Sequence, residues 1–398
     1  MNACSFILSE KFLTINDNDL IESNDYDPTN IFPLKYPQKP GGKERQLRGS
    51  GMVTRKDVAK MAGVSEATVS RVFNNVGPMK ESTKQKVLAA AKELNYHPNA
   101  VARSFALGKS GHIGLILPYV PKVHLFSTYY FSEILSGIGE GVRRHGCDML
   151  VMFRSPHESV DYTEPYRSRK VDGCIFLGAL NVPAQREGFR ELDRQGMPFV
   201  LINQHYEGET YSVVDADHEQ GCYEAVKHLL ESGYRRIAFL NGSPQYSNSA
   251  DRLRGYYRAL NEAGLEPEPE LILEGNYSRT SGYAAAARIA ELGGRVDAVF
   301  SSNDRMAVGL MQGLKERGIA PGEDLAIVGY DDSEAAKLSD PPLTSVYVPF
   351  FEMGLLAAEA LLKRINASPE TEELPPSFHE RLSTKLVVRA SSNPRPGN

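Results

Sequence analysis

From residue 112 onward, short apolar runs alternate with longer segments whose apolar residues recur at helical spacing. Short apolar runs bounded by turn residues predict buried strands, and the helical segments between them predict parallel βαβ units. Because this alternation continues far along the chain without a solenoid-like repeat, we predict two similar doubly wound α/β lobes with a cleft between them. The predicted strands are HIGLILP (112–118), CDMLVMF (147–153), DGCIFLG (172–178), PFVLIN (198–203), RIAFLNG (236–242), DAVFSSND (297–304) and DLAIVGYDD (324–332).

A different pattern precedes the lobes, with three short stretches of helical periodicity within residues 52–97. Gly63 ends the first stretch, and the sequence NNVGP ends the second, so we predict three helices around one small core. A tight turn between the first two helices is typical of a helix-turn-helix. The predicted core residues are Val58, Met61, Ala62, Val69, Val72, Phe73, Val87, Leu88, Ala91 and Leu94.

The first 51 residues have no periodic apolar face and contain an Asn/Asp-rich part and a Pro/Gly/basic part. We expect little fixed structure there. Because Met52 directly precedes the first helical pattern, a second hypothesis is that translation begins there. Residues 1–51 are thus either a disordered or a mis-called N-terminal extension. The remaining boundaries are a connecting segment at 98–111, the two-lobed domain at 112–391 and a short flexible tail at 392–398.

Composition indicates a globular protein, with 41% hydrophobic and 24% charged residues. Every apolar run is well below the roughly 18 residues of a membrane span. The first residues lack the cationic region and cleavage site of an export signal, so we expect a cytoplasmic protein. Scattered cysteines without paired spacing fit reduced, buried thiols rather than a disulfide framework or zinc site: Cys4, Cys147, Cys174 and Cys222.

Charge is distributed unevenly along the chain. The net charge is −5, yet residues 52–111 carry ten Lys/Arg against four Asp/Glu. A cationic segment on an otherwise acidic protein suggests phosphate contact at that segment. An ordinary solvated helix surface explains the charge alone equally well.

Catalytic motifs do not account for this chain. It has no P-loop, no G-x-S-x-G elbow and no H-E-x-x-H motif, and GIGEGV (137–142) lacks dinucleotide-binding spacing. We therefore do not expect an enzyme. A solute-binding protein for transport or sensing is the alternative, because two lobes explain the α/β portion equally well. That alternative leaves the helical segment before the lobes without a role.

Motifs along nearly all of the chain after residue 52 resemble those of the lactose/galactose repressor (LacI/GalR) family. The resemblance implies an all-α helix-turn-helix headpiece joined by a hinge helix to a two-lobed, periplasmic-binding-protein-like α/β domain. It also implies a transcription regulator that binds an operator. The motifs are TRKDVAKMAGVSEATVSRVFNN (54–75), KVLAAAKELNYHPNAVARSFALGKS (86–110), RLRGYYRAL (252–260), SSNDRMAVG (301–309), VGYDDSE (328–334) and LTSVYVPFFEMG (343–354).

By this resemblance, the second helix of the headpiece enters the major groove. Arg71 is the principal predicted base contact, since a bidentate arginine–guanine pair is the commonest specific one. Glu66 can accept from cytosine, and Ala67 can touch a thymine methyl. On an isolated helix, an arginine would more often form a surface salt bridge. Residues placed to contact phosphates or orient the helix are Thr54, Ser65, Thr68, Ser70 and Asn74.

The hinge helix of the family corresponds to residues 99–108. A helix this short is not stable alone, so the resemblance implies that it orders when two subunits meet on the minor groove, with Asn99 and Ala102 at the DNA. Where relatives place a leucine wedge, this chain has Phe105. Phenylalanine is also a known wedge, although it could instead pack on the regulatory domain.

An effector cleft between the lobes is the second implied site. Arg252 can bind hydroxyls or a carboxylate, and Asp331 can accept hydroxyl hydrogens. Asp331 could instead be a structural turn residue at a strand end. The aromatic residues named at the end of this paragraph could instead be ordinary core residues. The resemblance implies a sugar or sugar acid as effector and no cofactor or metal. The other matched cleft residues are Tyr130, Phe131, Asn203, Tyr277, Asn303 and Phe350.

The implied switch is a change in lobe orientation that alters the spacing of paired headpieces. Two-fold, pseudo-palindromic operators require a two-fold protein, so a homodimer on double-stranded DNA is expected. Whether the effector is an inducer or a corepressor stays open.

Overall fold

The computed structural model describes residues 53–74, 76–97, 108–120, 124–155, 158, 160–367 and 376–393. The headpiece contains helices α1 (Arg55–Ala62), α2 (Glu66–Asn74) and α3 (Glu81–Glu93), as its periodicity predicts. Small aliphatic residues fill its core, which consists of Val58, Ala59, Val69, Val72, Val87, Ala90 and Ala91.

Two predicted core residues of the headpiece are wrong. Met61 is 44% exposed and Leu88 is 39% exposed. Ala59 and Ala90 are buried instead. The three helices are short and close together, so the positions facing the centre of the headpiece accept alanine, while the longer apolar side chains lie at its margin.

Two parallel sheets form the body of the protein, as the alternating pattern predicts. The strands are β1 (His112–Pro118), β2 (Asp148–Arg154), β3 (Gly173–Leu177), β4 (Phe199–Ile202), β5 (Val213–Ala216), β6 (Ile237–Asn241), β7 (Ile272–Glu274), β8 (Ala298–Ser301), β9 (Ala326–Asp331), β10 (Thr344–Tyr347), β11 (His379–Leu382) and β12 (Lys385–Val387).

Each lobe contains one six-stranded sheet. The order is β11-β5-β4-β3-β1-β2 in the first lobe and β12-β10-β9-β8-β6-β7 in the second. All pairs are parallel except β10 with β12. In both sheets, the first strand of the lobe lies inside, with later strands on either side. This doubly wound order opens a crevice at the carboxyl ends of the strands, where ligands bind in such folds.

Helices cover both sheets, and some connections pass between the lobes. Helix α12 follows a second-lobe strand, yet it packs on α4 and on the first-lobe strands β3, β4 and β5. The helices of the two lobes are α4 (Tyr129–Arg144), α5 (Glu164–Arg167), α6 (Pro183–Arg194), α7 (His218–Glu231), α8 (Ser247–Glu262), α9 (Arg279–Leu292), α10 (Asp304–Lys315), α11 (Glu334–Leu338) and α12 (Phe350–Asn366).

The contact between α4 and α12 depends on two glycines. A Cβ at Gly137 would lie 1.9 Å from the carbonyl oxygen of Phe351, and one at Gly354 would lie 2.1 Å from that of Ile134. No side chain fits at such distances, so glycine lets the two backbones touch. GIGEGV (137–142) is therefore a helix-packing sequence within α4, not a nucleotide loop.

The lobes extend beyond the predicted boundary at residue 391. Ser392, which the sequence analysis placed in a flexible tail, is fully buried. Its Oγ lies 2.7 Å from the Oγ1 of Thr344, and the hydroxyl of Tyr234 donates to the carbonyl of Asn393. These polar contacts hold Ser392 and Asn393 against the second lobe, and an apolar periodicity does not predict them.

Candidate functional sites in the headpiece and the cleft

The start of α2 is fixed by a hydroxyl cap. The backbone N–H of Thr68 donates to the Oγ of Ser65 at 3.2 Å, and the two side-chain hydroxyl oxygens lie 2.9 Å apart. A serine that accepts from the third helical N–H satisfies one of the free donors of a helix start. This cap therefore sets where α2 begins and which side chains it presents.

One face of α2 is available to a ligand. Glu66, Ala67 and Arg71 are exposed on it, while Val69 and Val72 face the headpiece core. Within the described residues, Arg71 forms no ion pair, whereas Glu66 lies 3.5 Å from Arg55. A helix with small residues and one long free donor suits the major groove.

The other predicted DNA contacts differ in exposure. Thr54 and Ser65 are exposed, whereas Thr68, Ser70 and Asn74 are half-buried. The side-chain amide of Asn74 donates to the Oγ of Ser70 at 3.3 Å. Three further predicted contacts lie outside the described residues, so they stay predictions: Asn99, Ala102 and Phe105.

A cavity of about 420 Å³ lies between the lobes at the carboxyl ends of their strands. This volume lies within the range of small-molecule sites. The first lobe contributes aromatic and hydroxyl groups, and the second lobe contributes most of the charge. The lining residues are Ser127, Thr128, Tyr129, Tyr130, Phe131, Ser132, Gly178, Tyr246, Asn248, Arg252, Tyr277, Ser302, Asn303, Arg305, Asp331, Ser333, Glu334 and Ala335.

Arg252 is the cation at the base of the second-lobe wall. It is 3% exposed, its guanidinium carbon lies 4.2 Å from the ring centre of Tyr330, and its Nη1 donates to the hydroxyl of Tyr277 at 3.1 Å. Its buried Nε is the one buried side-chain polar atom without a hydrogen-bond partner among the described residues. A buried donor left unpaired is costly, so this atom has capacity for an incoming acceptor.

Asp331 supplies the carboxyl group of the same wall. Burial raises its pKa well above the usual range, and the nearby Asp304 carboxyl adds to the rise. Asp331 also has a φ of 114°, outside the ordinary region for a side-chain-bearing residue. Backbone strain of this kind concentrates at binding sites. Asp331 is thus held as a hydrogen-bonding group at the cavity.

Hydrogen bonds join the two walls through a buried histidine. The Nη2 of Arg252 lies 3.3 Å from the Nδ1 of His218, whose Nε2 lies 2.9 Å from the Oδ1 of Asn203. Asn203 in turn donates to the hydroxyl of Tyr130 at 3.3 Å. Because arginine only donates, Nδ1 accepts and Nε2 carries the hydrogen. We call these four residues the cross-lobe chain.

The imidazole in this chain is neutral. Burial lowers the pKa of His218, and the neighbouring Arg252 lowers it further, although Asp215 opposes the shift. A neutral ring has one donor and one acceptor, which gives the chain a single direction of hydrogen bonding. Displacing Tyr130 or Arg252 therefore disturbs contacts of the opposite lobe.

Two predicted effector contacts do not line the cavity, and we correct them. Asn203 is 2% exposed and holds Tyr130 and His218 from behind. Phe350, also 2% exposed, packs edge-on against the rings of Tyr129 and Tyr130. In this structure, both lie behind residues of the wall, because tertiary packing buries them one layer deeper than their sequence positions suggest.

The remaining predicted residues meet at the cavity: Tyr130, Phe131, Arg252, Tyr277, Asn303 and Asp331. Asn303 has a second task, since its Oδ1 caps α10 by accepting from the N–H of Met306. Sequence reasoning missed several lining residues: Tyr129, Tyr246, Asn248 and Arg305. Most lie in loops or helix starts after strand ends, which is the signal that could have found them.

A DNA-binding headpiece joined to a two-lobed binding domain defines a ligand-responsive transcription regulator. Comparisons with known proteins agree with this class. Residues 54–99 match the family "Bacterial regulatory proteins, lacI family", and residues 226–392 match "Periplasmic binding protein-like domain". The HTH-type transcriptional repressor PurR of Vibrio atlanticus (strain LGP32) is 36% identical over 342 residues, which cover 84% of this chain and 100% of the relative.

Other relatives give the same result. Catabolite control protein A of Priestia megaterium is 33% identical, covering 84% of this chain and 99% of the relative. The Lac repressor dimer bound to operator and the anti-inducer ONPF has a TM-score of 0.73 at 28% identity, covering 86% of this chain and all of the other. A complex of the regulator CelR with cellobiose has a TM-score of 0.65 at 32% identity, covering 85% and 99%.

The chain belongs to the LacI/GalR family of DNA-binding transcriptional repressors, and it is a regulator rather than an enzyme. This confirms the predicted resemblance and fold class. Among the described helices, none combines the length and apolar character needed to cross a membrane.

Proposed function

We propose that this repressor works in the cytoplasm as a homodimer on a pseudo-palindromic operator, and that a sugar or sugar acid in the cleft sets its operator affinity. The observation that carries the effector class is that the unsatisfied Nε of Arg252 and the carboxyl of Asp331 belong to residues of one cavity lined by aromatic rings. Sugars present hydroxyls at their edges and apolar C–H faces, so they need both kinds of wall.

The relatives support this class of effector. The CelR structure contains cellobiose, and another LacI-family regulator, from Enterococcus faecium, contains bound ribose. Tyrosines from both lobes line the present cavity, including Tyr130, Tyr246 and Tyr277. A ligand that touches both walls stabilises one relative orientation of the lobes, which is how its binding energy would reach the operator.

An exposed apolar patch beside β2 supports dimer formation. Met149, Leu150 and Phe153 are exposed on this edge strand, and Phe126 packs against Phe153 with its own ring 56% exposed. Tyr119 is also exposed, and its backbone N–H donates to the carbonyl of Arg154 at the end of β2. An uncovered edge strand with large apolar side chains is typical of a surface that pairs with another chain.

The proposal is tested by two assays on the purified full-length protein. A thermal-shift screen with carbohydrates, sugar acids and purine bases identifies the effector, and operator binding is then measured with and without the hit. We expect a carbohydrate or sugar acid to stabilise the protein and to change its affinity for a selected operator. A purine hit would overturn the effector class.

The same assays separate a repressor from a solute-binding protein. Specific operator binding survives a competing excess of scrambled duplex, whereas non-specific phosphate contact does not. Ligand binding accompanied only by sequence-indifferent, salt-sensitive DNA binding would favour the solute-binding alternative.

A further inference from the structure

A cluster of two histidines and one carboxylate lies at an edge of the first-lobe sheet, outside the cavity lining. His205 is in the loop after β4, Asp215 is in β5, and His379 begins the neighbouring β11. The Oδ2 of Asp215 lies 3.1 Å from the Nδ1 of His205 and 3.5 Å from the Nε2 of His379. One ligand atom from each residue lies within 4.8 Å of the others.

These separations fit a small metal ion. Zinc binds imidazole nitrogen and carboxylate oxygen at roughly 2.1 Å, so neighbouring ligands in a tetrahedral site are about 3.4 Å apart. Both distances from Asp215 are close to that value. Two of the three ligand separations therefore already match a zinc site.

Neighbouring groups hold the ligands of this cluster in place, and the cluster is accessible to solvent. The Oδ1 of Asp215 already accepts from the N–H of Ala216 at 3.0 Å, which leaves its Oδ2 for the cluster. The other ring nitrogen of His205 lies 3.7 Å from the Oδ1 of Asp251, and metal-bound histidines commonly point their free N–H at a carboxylate. The side chains of His205 and His379 are 25% and 33% exposed, so an ion and a water can enter.

We propose that His205, Asp215 and His379 form a site for one divalent transition-metal ion of the zinc class, with water as the fourth ligand. Imidazole and carboxylate ligands in a three-residue site suit zinc and its neighbours in the first transition row. The site also adjoins the cross-lobe chain, because the Oδ1 of Asp215 lies 3.3 Å from the Nε2 of His218.

One cation competes for the site. The Nε of Arg381 lies 3.5 Å from the Nε2 of His379, and this arginine is exposed. Its side chain must turn outward before a metal can take that nitrogen. Removing the guanidinium therefore leaves metal affinity unchanged or increases it, which distinguishes a metal site from a network that needs the arginine.

The test is a zinc titration of tag-free, EDTA-stripped full-length protein, followed by calorimetry. We expect one zinc per chain in the wild type and more than about tenfold weaker binding in both His205→Ala and His379→Ala. His112→Ala, which removes an exposed histidine at the start of β1, is the matched control and should bind as the wild type does. Arg381→Ala should bind at least as tightly.

Cobalt(II) provides an independent readout in the same proteins. A low-coordinate site with nitrogen and oxygen ligands should give strong visible absorption in the wild type and lose it in His379→Ala. Circular dichroism confirms folding, and the exposed His379 can be replaced without opening the core. Absence of zinc binding in the wild type, or equal binding in the wild type and both histidine variants, would overturn the proposal.

Discussion

The polar residues of α2 and those of the cleft differ in how many contacts they make within the protein. Arg71 is exposed and has no ion-pair partner among the described residues, whereas Arg252 is buried and contacts Tyr277, Tyr330 and His218. The headpiece thus presents side chains whose partner is outside the chain. In the cleft, several polar side chains that line the cavity also make hydrogen bonds within the protein.

This difference has a practical consequence. A substitution on the exposed face of α2 should change DNA binding with little effect on folding, since surface substitutions rarely alter stability. A substitution in the cleft should change ligand binding and the lobe contacts together, because its residues share hydrogen bonds.

The largest effect is expected for Arg252→Ala. It removes the guanidinium that donates to Tyr277 and His218 and whose Nε we propose binds the effector. Because a charge-assisted bond is worth about 1.5–3 kcal/mol and the wall is disturbed as well, effector affinity should fall by roughly 100-fold. Calorimetry with the compound found in the screen measures this. Arg254→Ala, which removes an exposed arginine two positions along α8, is the control. Equal affinity in the wild type and Arg252→Ala would remove this arginine from the site.

A smaller effect is expected for Arg71→Ala. Loss of a bidentate guanine contact should reduce discrimination between the operator and a scrambled duplex by about 1–3 kcal/mol. Fluorescence anisotropy at fixed salt measures both affinities, and Lys92→Ala on α3 provides an exposed cation as control. Thermal stability and effector binding should not change. If discrimination is retained in Arg71→Ala, α2 does not read the operator through this residue.

Ser65→Ala tests whether the cap of α2 matters for presenting that face. Loss of the cap should cost about 1 kcal/mol of local stability. Amide hydrogen exchange of Thr68 and Val69 should therefore accelerate, with a modest loss of operator affinity. Ser82→Ala, at an exposed position inside α3, should leave exchange unchanged. Identical exchange in the wild type and Ser65→Ala would show that the hydroxyl does not stabilise the helix start.

The smallest effect is expected for Tyr130→Phe. Its hydroxyl makes a long, 3.3 Å bond to Asn203, so its loss should reduce effector affinity by about 0.5–1.5 kcal/mol. Tyr257→Phe, which changes a tyrosine of α8 outside the cavity lining, retains the cross-lobe chain and is the control. A loss in Tyr257→Phe as large as that in Tyr130→Phe would contradict the assignment of the chain.

The sequence predicted the architecture better than the edges of the sheets. The apolar runs of β3 and β6 are buried along their whole length, and β1 is buried after His112, so composition reveals them. Strand β5 carries the buried Asp215, and β11 contains His379, Glu380 and Arg381. These segments are strands because they hydrogen-bond to a neighbouring strand. A local sequence pattern does not predict that pairing.

For the two sites as well, local sequence patterns predicted some features, while tertiary packing determined others. The exposed face of α2 could be predicted because helical spacing fixes which residues share a side. In the cleft, strand-end motifs brought Arg252, Asn303 and Asp331 to one cavity. Tertiary packing determines whether Asn203 and Phe350 line the cavity or lie behind its wall. The sequence alone therefore could not predict their positions.

The most direct test of the account is the operator dissociation constant of the wild type with and without saturating effector. A ligand-controlled repressor should show a change of about 5- to 150-fold, corresponding to a coupling free energy of 1–3 kcal/mol. Arg71→Ala should keep that ratio while losing operator specificity, and Arg252→Ala should do the reverse at the same effector concentration. An operator dissociation constant that saturating effector leaves unchanged in the wild type would contradict the link between cleft and headpiece.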